Sequence, residues 1–279
     1  KIPINTRNVL SMVYTPGVGR VSQAIARDTS KVYAFTSKSN SVAVVTDGSA
    51  VLGLGNLGPE AALPVMEGKV MLFKELAGID AWPLCLNTQD PDEIVRIVQG
   101  IAPGFGAINL EDISAPRCFD IERRLKTSLD IPVMHDDQHG TAVVILAALT
   151  NALLVTGKRI EDIRVVVNGL GAAGTACCRM LLAAGVAHLL GCDKEGIILS
   201  GNPEQLRACR TDLAACLTRE RPTGTLRDAL KGADVFIGLS VGNILTADDL
   251  DLMAPDRIVF AMANPDPEVS PELAASHCR

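Results

Sequence analysis

The chain has 279 residues, which is enough for about two domains. Hydrophobic residues make up 48% and charged residues 21%, values typical of a globular protein, while aromatic residues make up only 3%. The core must therefore consist mainly of Ala, Val, Leu and Ile. A formal net charge of −6 argues against a general nucleic-acid-binding protein. No stretch is both highly charged and poor in aliphatic residues, which argues against long disorder.

The first half of the chain alternates strand-like and helix-like segments. The predicted strands are Ser41–Asp47, Ala81–Asn87, Ala107–Leu110 and Ile131–His135. The predicted helices are Ala61–Ala77, a segment that begins at Asp90 and Pro91, Pro116–Ser128 and Thr141–Val155. The last of these is the most apolar run of the chain. Since it is shorter than the ~20 residues that cross a bilayer, we predict a fully buried helix that ends at Gly157.

The second half repeats the alternation of strands and helices. Strands are predicted near residues 164–168, 187–192, 234–239 and 257–263, and helices near 172–184, 203–218, 225–232 and 246–253. This βαβ periodicity predicts parallel strands and an α/β fold.

A glycine-rich motif follows the first strand of the second half. Gly169-x-Gly171-x-x-Gly174 lies between the apolar strand and a helix, with Ala172 and Ala173 inside the motif. The first glycine permits a tight turn, the second lets the backbone approach a pyrophosphate, and the third lets helix and strand pack closely. The motif in this context predicts a dinucleotide site, the alternative being a glycine turn without a ligand.

The cofactor preference depends on the end of the next strand. Asp193 lies there, about 20 residues after the motif, where an acid accepts a hydrogen bond from the ribose 2′-OH of NAD. Lys194 follows at once, and its ammonium could tolerate the 2′-phosphate of NADP. The sequence therefore favours NAD without excluding NADP.

Four carboxylates lie at the ends of two strands in the first half. Glu111 and Asp112 follow one strand, and Asp136 and Asp137 follow another. The carboxyl ends of parallel strands share one edge, so these oxygen ligands predict a Mg²⁺ or Mn²⁺ site. The alternative is two independent sets of solvated acids or helix N-caps.

Two further groups near these acids have alternative interpretations. His135 and His139 are four residues apart and could indicate zinc, although no third soft ligand is evident. Lys69 lies inside an apolar helix, where desolvation would lower its pKa and make it a usable base. The alternative for Lys69 is a lysine whose ammonium extends to the surface.

The cysteines and the first residue bear on the environment of the protein. Eight cysteines are scattered without a C-x-x-C pair, which predicts small buried hydrophobic residues in a reducing cytoplasm. The sequence begins at Lys1 with neither an initiator Met nor an apolar signal region, so we expect a cut or processed chain.

Four segments closely resemble the small, bacterial-type malic enzymes. They are Tyr14–Gly19 (YTPGVG), the stretch VTDGSAVLGLGNLGPEAALPVMEGK that ends at Lys69, INLEDISAP around Glu111, and PVMHDDQHGTA around Asp136. The glycine motif and Ala263-Asn264-Pro265 follow in the expected order, and the resemblance covers essentially the whole chain. It implies oxidation of L-malate with NAD(P)⁺ and decarboxylation to pyruvate and CO₂.

The resemblance also implies roles for individual residues. Lys69 is then the general base for the C2 hydroxyl, Asp136 tunes it, and Tyr14 protonates C3 of enolpyruvate. Glu111, Asp112 and Asp137 hold the divalent cation, and Asn264 contacts the substrate or the nicotinamide end of the cofactor.

The implied architecture has two domains. Residues 1–140 form an N-terminal α/β domain for substrate and metal, 141–157 a connecting buried helix, and 158–279 a Rossmann-type dinucleotide-binding domain. Family members start earlier and carry a longer C-terminal part, so we expect a truncated or proteolysed chain, a protein that lacks this tail, or part of a longer polypeptide. We also expect a cytoplasmic homodimer. Alternatives are a malolactic-type enzyme, which releases lactate, and a non-catalytic dinucleotide-binding relic.

Overall fold

Three short α-helices precede the first strand in the computed structural model, which describes residues 2–198 and 223–278. They are α1 (Arg7–Val13), α2 (Gly17–Arg27) and α3 (Val32–Phe35). None of their residues is buried, so they lie outside the core. The sequence analysis did not predict these helices. Val18, Val21 and Ile25 do recur at helical spacing, a pattern from which α2 could have been predicted.

The first half of the chain then forms a four-stranded parallel sheet. Its strands are β1 (Ser41–Thr46), β2 (Asp80–Cys85), β3 (Ala107–Leu110) and β4 (Val133–His135), arranged in the order β2-β1-β3-β4. The helices that follow these strands are α4 (Pro59–Ala77), α5 (Pro91–Ile101), α6 (Arg117–Ser128) and α7 (Asp136–Thr156). Each predicted strand and helix of this half is confirmed, with shifts of a few residues at the ends.

Helix α7 differs from its prediction in two ways. It begins at Asp136 rather than Thr141, and it is therefore long and apolar enough, by length and composition alone, to cross a membrane. It is also not fully buried, since only 22% of its most apolar stretch lies inside the protein. The apolar composition hid the true pattern, a buried stripe of Ala142, Ile145, Leu149 and Leu153 at helical spacing. The opposite side exposes apolar residues such as Leu154.

The second half forms a five-stranded sheet. Its strands are β5 (Arg164–Asn168), β6 (His188–Asp193), β7 (Gly196–Ile197), β8 (Val235–Gly238) and β9 (Ile258–Ala261), in the order β7-β6-β5-β8-β9. All neighbours are parallel except β6 and β7. The described helices are α8 (Ala172–Ala183), α9 (Leu226–Leu230), α10 (Ala247–Leu250) and α11 (Pro271–His277). The predicted helix near 203–218 lies outside the described residues, and β7 and α11 were not predicted.

The order of these strands reverses at β5, because β6 lies on one side of it and β8 on the other. A crevice that accepts ligands forms at such a reversal, beside the carboxyl ends of the strands. This topology confirms the predicted α/β class with parallel sheets and a Rossmann-type second half.

The two halves of the chain are joined through α7 and α8. The buried stripe of α7 packs into the second core with Cys177, Cys178 and Leu181 of α8. At the start of α8, Ala172 packs against the core of the first half, and the guanidinium of Arg179 lies 5.9 Å from the ring centroid of Phe119 in α6. The glycine motif therefore lies beside the first domain.

Candidate active site

The acids at the ends of β3 and β4 converge as predicted. The two strands are parallel neighbours, with Leu110 opposite His135, so the residues that follow them meet at one edge of the sheet. One oxygen from each of Glu111, Asp112 and Asp137 lies within 4.8 Å of the others. Within residues 2–198 and 223–278, these three side chains form the one group of carboxylates, imidazoles or thiols arranged to hold a metal ion.

The environment of these carboxylates suits a divalent cation. Burial, together with repulsion from neighbouring carboxylates, raises the pKa of Glu111 to about 7 and that of Asp112 to about 6. The Oδ2 atom of Asp112 is buried without a hydrogen-bond partner. Asp112 also has φ of 54°, in the left-handed region, a cost that binding sites commonly bear. A hard cation would neutralise the acids and be coordinated by Oδ2 of Asp112, so the residues fit Mg²⁺ or Mn²⁺.

Neighbouring groups hold the three ligands in place. The side-chain amide of Asn109 donates to Glu111 over 2.8 Å, and the backbone N–H of Asp112 donates to Asp137 over 2.9 Å. The ring of His135 is fully buried, and its Nε2 lies 3.2 Å from Asp137 without the alignment of a hydrogen bond. These contacts limit how far the carboxylates can move apart.

The histidines do not form the alternative zinc site. His135 ends β4 and faces Asp137, whereas His139 lies in α7 and donates to the buried carboxylate of Glu122 over 2.7 Å. Lys126 pairs with the same carboxylate over 2.8 Å. Burial opposes ionisation of Glu122, but the hydrogen bonds from His139 and Lys126 outweigh it and lower its pKa to about 2. Glu122 also accepts the backbone N–H of His135, which fixes the end of β4.

Lys69 extends from α4 into the same group of acids. Its Nζ lies 2.6 Å from Asp136 and 3.0 Å from Glu111, and its side chain is 24% exposed. The structure therefore contradicts the alternative of a lysine that reaches out to solvent. Lys69 and Asp136 are in direct contact, as their assigned roles require.

The expectation that desolvation lowers the pKa of Lys69 is wrong for this arrangement. Burial does lower the pKa, but the hydrogen bonds and charges of Asp136 and Glu111 outweigh it, and the net pKa is raised above the ordinary value. Lys69 is therefore an ammonium here. Sequence reasoning missed this because it considered the apolar helix and not the two acids opposite it.

Tyr14 is not brought into contact with these residues. It follows α1 and is 67% exposed. Among the described residues its hydroxyl makes no hydrogen bond to Lys69 or the carboxylates, and α1 packs mainly against α2.

The loop after β1 is a part of the site that sequence reasoning did not assign. Asp47 is fully buried and pairs with Arg117 over 3.0 Å. Ser49 donates to Asp47 and accepts the backbone N–H of Ser114, so the loop is tied to the loop that carries Asp112. The signal was present in the sequence, because Asp47 is an acid directly after an apolar strand.

The glycine motif has the geometry that dinucleotide binding requires. Gly169 has φ of 98°, and a Cβ there would meet the carbonyl of Leu239, so the turn needs glycine. A Cβ on Gly174 would overlap the carbonyl of Gly169, which shows the close helix–strand packing. The position of a Cβ on Gly171 faces open space, with Ala172 and Ala173 starting α8 directly behind it. A pyrophosphate fits there, at the N-terminus of a 12-residue helix.

Asp193 and Asn264 lie at strand ends on opposite sides of this motif. Asp193 ends β6 and accepts the backbone N–H of Glu195 over 2.9 Å, while Lys194 is exposed in the turn that follows. Asn264 is exposed in the loop after β9. In that loop Glu268 is fully buried, a residue for which the sequence carried no periodic or motif signal.

Two family descriptions match this chain over most of its length. Residues 1–126 match the family described as "Malic enzyme, N-terminal domain", and residues 138–276 match "Malic enzyme, NAD binding domain".

Individual proteins of known name and structure are also similar. The NAD-dependent malic enzyme of Geobacillus stearothermophilus is 58% identical over 279 residues, which cover all of this chain and 58% of that protein. The bifunctional malic/malolactic enzyme of Bacillus subtilis is 52% identical over 274 residues, covering 98% and 67%. The crystal structure of the NAD-dependent malic enzyme from Thermotoga maritima aligns with a TM-score of 0.96 at 50% identity, over all of this chain and 74% of that one. The chain thus spans a little over half the length of the first relative.

Proposed function

The chain belongs to the malic enzyme family, and we propose that it oxidises L-malate with NAD⁺ or NADP⁺ and decarboxylates the product to pyruvate and CO₂. One observation carries this proposal, the convergence of Glu111, Asp112 and Asp137 beside the Lys69–Asp136 pair. An α-hydroxy acid offers a hydroxyl and a carboxylate as oxygen ligands for a metal, and the adjacent Lys69–Asp136 pair supports a proton transfer at these residues.

We assign the proton transfers to the residues of the first domain. The Nζ of Lys69 donates to Asp136 over 2.6 Å. Lys69 is an ammonium in the free chain, so it must lose a proton before its amine accepts that of the C2 hydroxyl, and Asp136 orients it for this transfer. Neutralisation of Glu111 in the loaded site would remove one of the two interactions that raise the pKa of Lys69. Glu111, Asp112 and Asp137 would hold Mg²⁺ or Mn²⁺, which would supply Lewis-acid polarisation, and the glycine motif would hold NAD(P)⁺, which would supply a hydride acceptor.

Tyr14 and Asn264 complete the proposed set of site residues. Tyr14 protonates C3 of enolpyruvate, for which its exposed hydroxyl is available. Asn264 contacts the substrate or the nicotinamide end from the loop after β9. Gly169, Gly171, Ala172, Ala173, Gly174 and Asp193 form the binding site for the rest of the dinucleotide.

The proposed boundaries keep 1–140 as the substrate and metal domain and 158–279 as the dinucleotide domain. The connecting helix between them begins earlier than its assigned range 141–157. We further propose a homodimer in the cytoplasm. The exposed apolar residues of α1 and α2, among them Met12 at 64% exposure, support association. No disulfide forms among the described cysteines, which suits a reducing compartment.

The experiment is a malate assay with Mn²⁺ that compares the wild-type chain with Asp137→Ala. As a matched control, Asp90→Ala removes an acid that only caps α5. We expect Mn²⁺-dependent formation of NADH and pyruvate in the wild-type and control chains, and its loss together with Mn²⁺ binding in Asp137→Ala. Unchanged Mn²⁺ affinity and turnover in Asp137→Ala would contradict the assignment of Asp137 as a metal ligand.

The second candidate is a malolactic reaction, in which the cofactor stays bound and lactate is released. The similarity to the bifunctional malic/malolactic enzyme of Bacillus subtilis favours it. The same assay separates the two, because the malic reaction releases NADH and pyruvate in equal amounts, whereas the malolactic reaction gives lactate without free NADH. Dinucleotide binding without any turnover would instead indicate a non-catalytic relic.

A further inference from the structure

The carboxylate of Glu268 lies buried between the ends of two strands of the second sheet. Its Oε1 accepts the backbone N–H of Ser240, which follows β8, and its Oε2 accepts that of Ala263, which follows β9, both over 3.0 Å. The residue is fully buried, and no ion pair to it occurs in the part of the chain that the structure describes. A buried carboxylate is costly unless it is well hydrogen-bonded, so these two bonds are what make the position tolerable.

The backbone around Glu268 connects the same two loops a second time. The carbonyl of Glu268 accepts the N–H groups of Ile244 and Leu245 over 3.0 Å. Gly238, the last residue of β8, leaves space for the carboxylate, because a Cβ there would overlap it. The carboxylate and the carbonyl of Glu268 thus hold the loops after β8 and β9 together.

These loops lie on one side of the strand reversal at β5. Asp193, the proposed ribose contact, ends β6 on the other side. A dinucleotide lies across such a reversal, with one nucleotide half on each side. The loops joined by Glu268 therefore face the nicotinamide half, and one of them carries Asn264. Ser240 also links them to the glycine motif, since its hydroxyl accepts from the side-chain amide of Asn168 over 2.8 Å.

We propose that Glu268 is a positioning residue that sets the nicotinamide side of the cofactor site while leaving the adenosine side unaffected. This inference rests on the proposed binding of NAD(P). Glu268 does not face solvent or ligand, and it acts through the backbone at Ser240 and Ala263. It offers two acceptors to two donors, an arrangement that no neutral side chain of the same shape reproduces.

The test compares binding of NADH with binding of ADP-ribose, which lacks the nicotinamide, in Glu268→Gln. The amide places an NH₂ group against one of the two N–H donors, so that loop must move. We expect the Kd for NADH to rise about tenfold or more and the Kd for ADP-ribose to stay within about twofold, measured by calorimetry without malate or metal.

Asp234→Asn is the matched control at the opposite ends of the strands. Asp234 accepts the backbone N–H of Arg164 over 2.9 Å and pairs with Lys158. The loss of its charge destabilises the sheet without touching the loops after β8 and β9. We expect a lower melting temperature for this variant and an unchanged ratio of the two dissociation constants.

A second variant, Gly238→Ala, displaces the carboxylate without removing it and replaces Glu268→Gln in the test if that variant does not fold. It should also raise the Kd for NADH more than the Kd for ADP-ribose. Equal weakening of NADH and ADP-ribose, or wild-type affinity for NADH, in the folded variant would overturn the inference. If the wild-type chain binds ADP-ribose but not NADH, the Glu268 assignment is wrong. If it binds neither, the proposed dinucleotide function is also wrong.

Discussion

Removing divalent cations should make the stability of the protein fall as the pH rises. In the folded chain, burial raises the pKa of Glu111 from 4.5 to about 7 and that of Asp112 from 3.8 to about 6. Between the ordinary and the raised pKa of each group, the folded state holds a proton that the unfolded state has already released. For Glu111, the free energy of unfolding therefore falls as the pH rises from about 4.5 to 7, and below about 4.5 this loss is absent.

The size of the effect follows from the pKa of Glu111. A rise from 4.5 to about 7, at about 1.4 kcal/mol for each tenfold change in the proton equilibrium, corresponds to about 3 kcal/mol. This is a sizeable part of the ~5–15 kcal/mol by which a protein is usually stable. Asp112 acts in the same direction. A divalent cation binds the ionised carboxylates, so it should remove the loss and stabilise the chain more at about pH 8 than at about pH 5.

The assay is urea unfolding followed by circular dichroism, between about pH 5 and pH 8, with a chelator or with Mn²⁺. Glu111→Gln is the comparison, because its amide cannot release a proton in this range. The difference in unfolding free energy between the variant and the wild-type chain should grow by about 2.5 kcal/mol across this range in chelator, because part of the loss has already occurred at about pH 5. Parallel stability profiles of the two chains would refute the reasoning.

Four further predictions concern single residues. Glu122→Gln should cost about 3 kcal/mol of stability at neutral pH, because the pKa of Glu122 is lowered to about 2. This cost should disappear as the pH falls from about 4.5 towards 2, and a difference in unfolding free energy between the two chains that does not change with pH would contradict the prediction. Lys69→Ala should lower malate oxidation by about 10²–10⁴-fold and leave the Kd for NADH unchanged, whereas full activity would exclude Lys69 as the base. Tyr14→Phe should slow tritium exchange into C3 of pyruvate by a similar factor, and a wild-type rate would make Tyr14 structural only. Asp193→Ser should lower the ratio of kcat/KM for NAD over NADP by about tenfold or more, and a wild-type preference for NADP would point to Lys194 instead.

The fold was largely predictable because alternating apolar strands and amphipathic helices report directly on parallel sheets. The convergence of Glu111, Asp112 and Asp137 followed from the same geometry, since the carboxyl ends of parallel strands share one edge. Helix α7 was harder, because in a run of Val, Leu and Ala composition alone does not show which side meets a neighbour. Its exposed and buried sides became visible only in the packing against α8.

Interactions between distant segments were the part that the sequence could not predict. The pKa of Lys69 is raised by acids that lie far along the chain, so the lowered pKa predicted from the apolar helix around it was wrong. Glu268 lies in a loop and accepts hydrogen bonds from backbone N–H groups. Such contacts cannot be predicted from residue types, because every residue except proline has a backbone N–H. Arg117 was likewise missed, because its partner Asp47 belongs to another loop.

Helix α7 physically connects the proposed cation site to the dinucleotide domain. It carries Asp136 and Asp137 in its first turn and packs into the core of the dinucleotide domain in its later turns. Rotation of that domain must therefore either bend the helix or move Asp137. If binding of either ligand rotates that domain, the proposed cation and dinucleotide sites are linked thermodynamically, and each ligand changes the affinity for the other by the same factor.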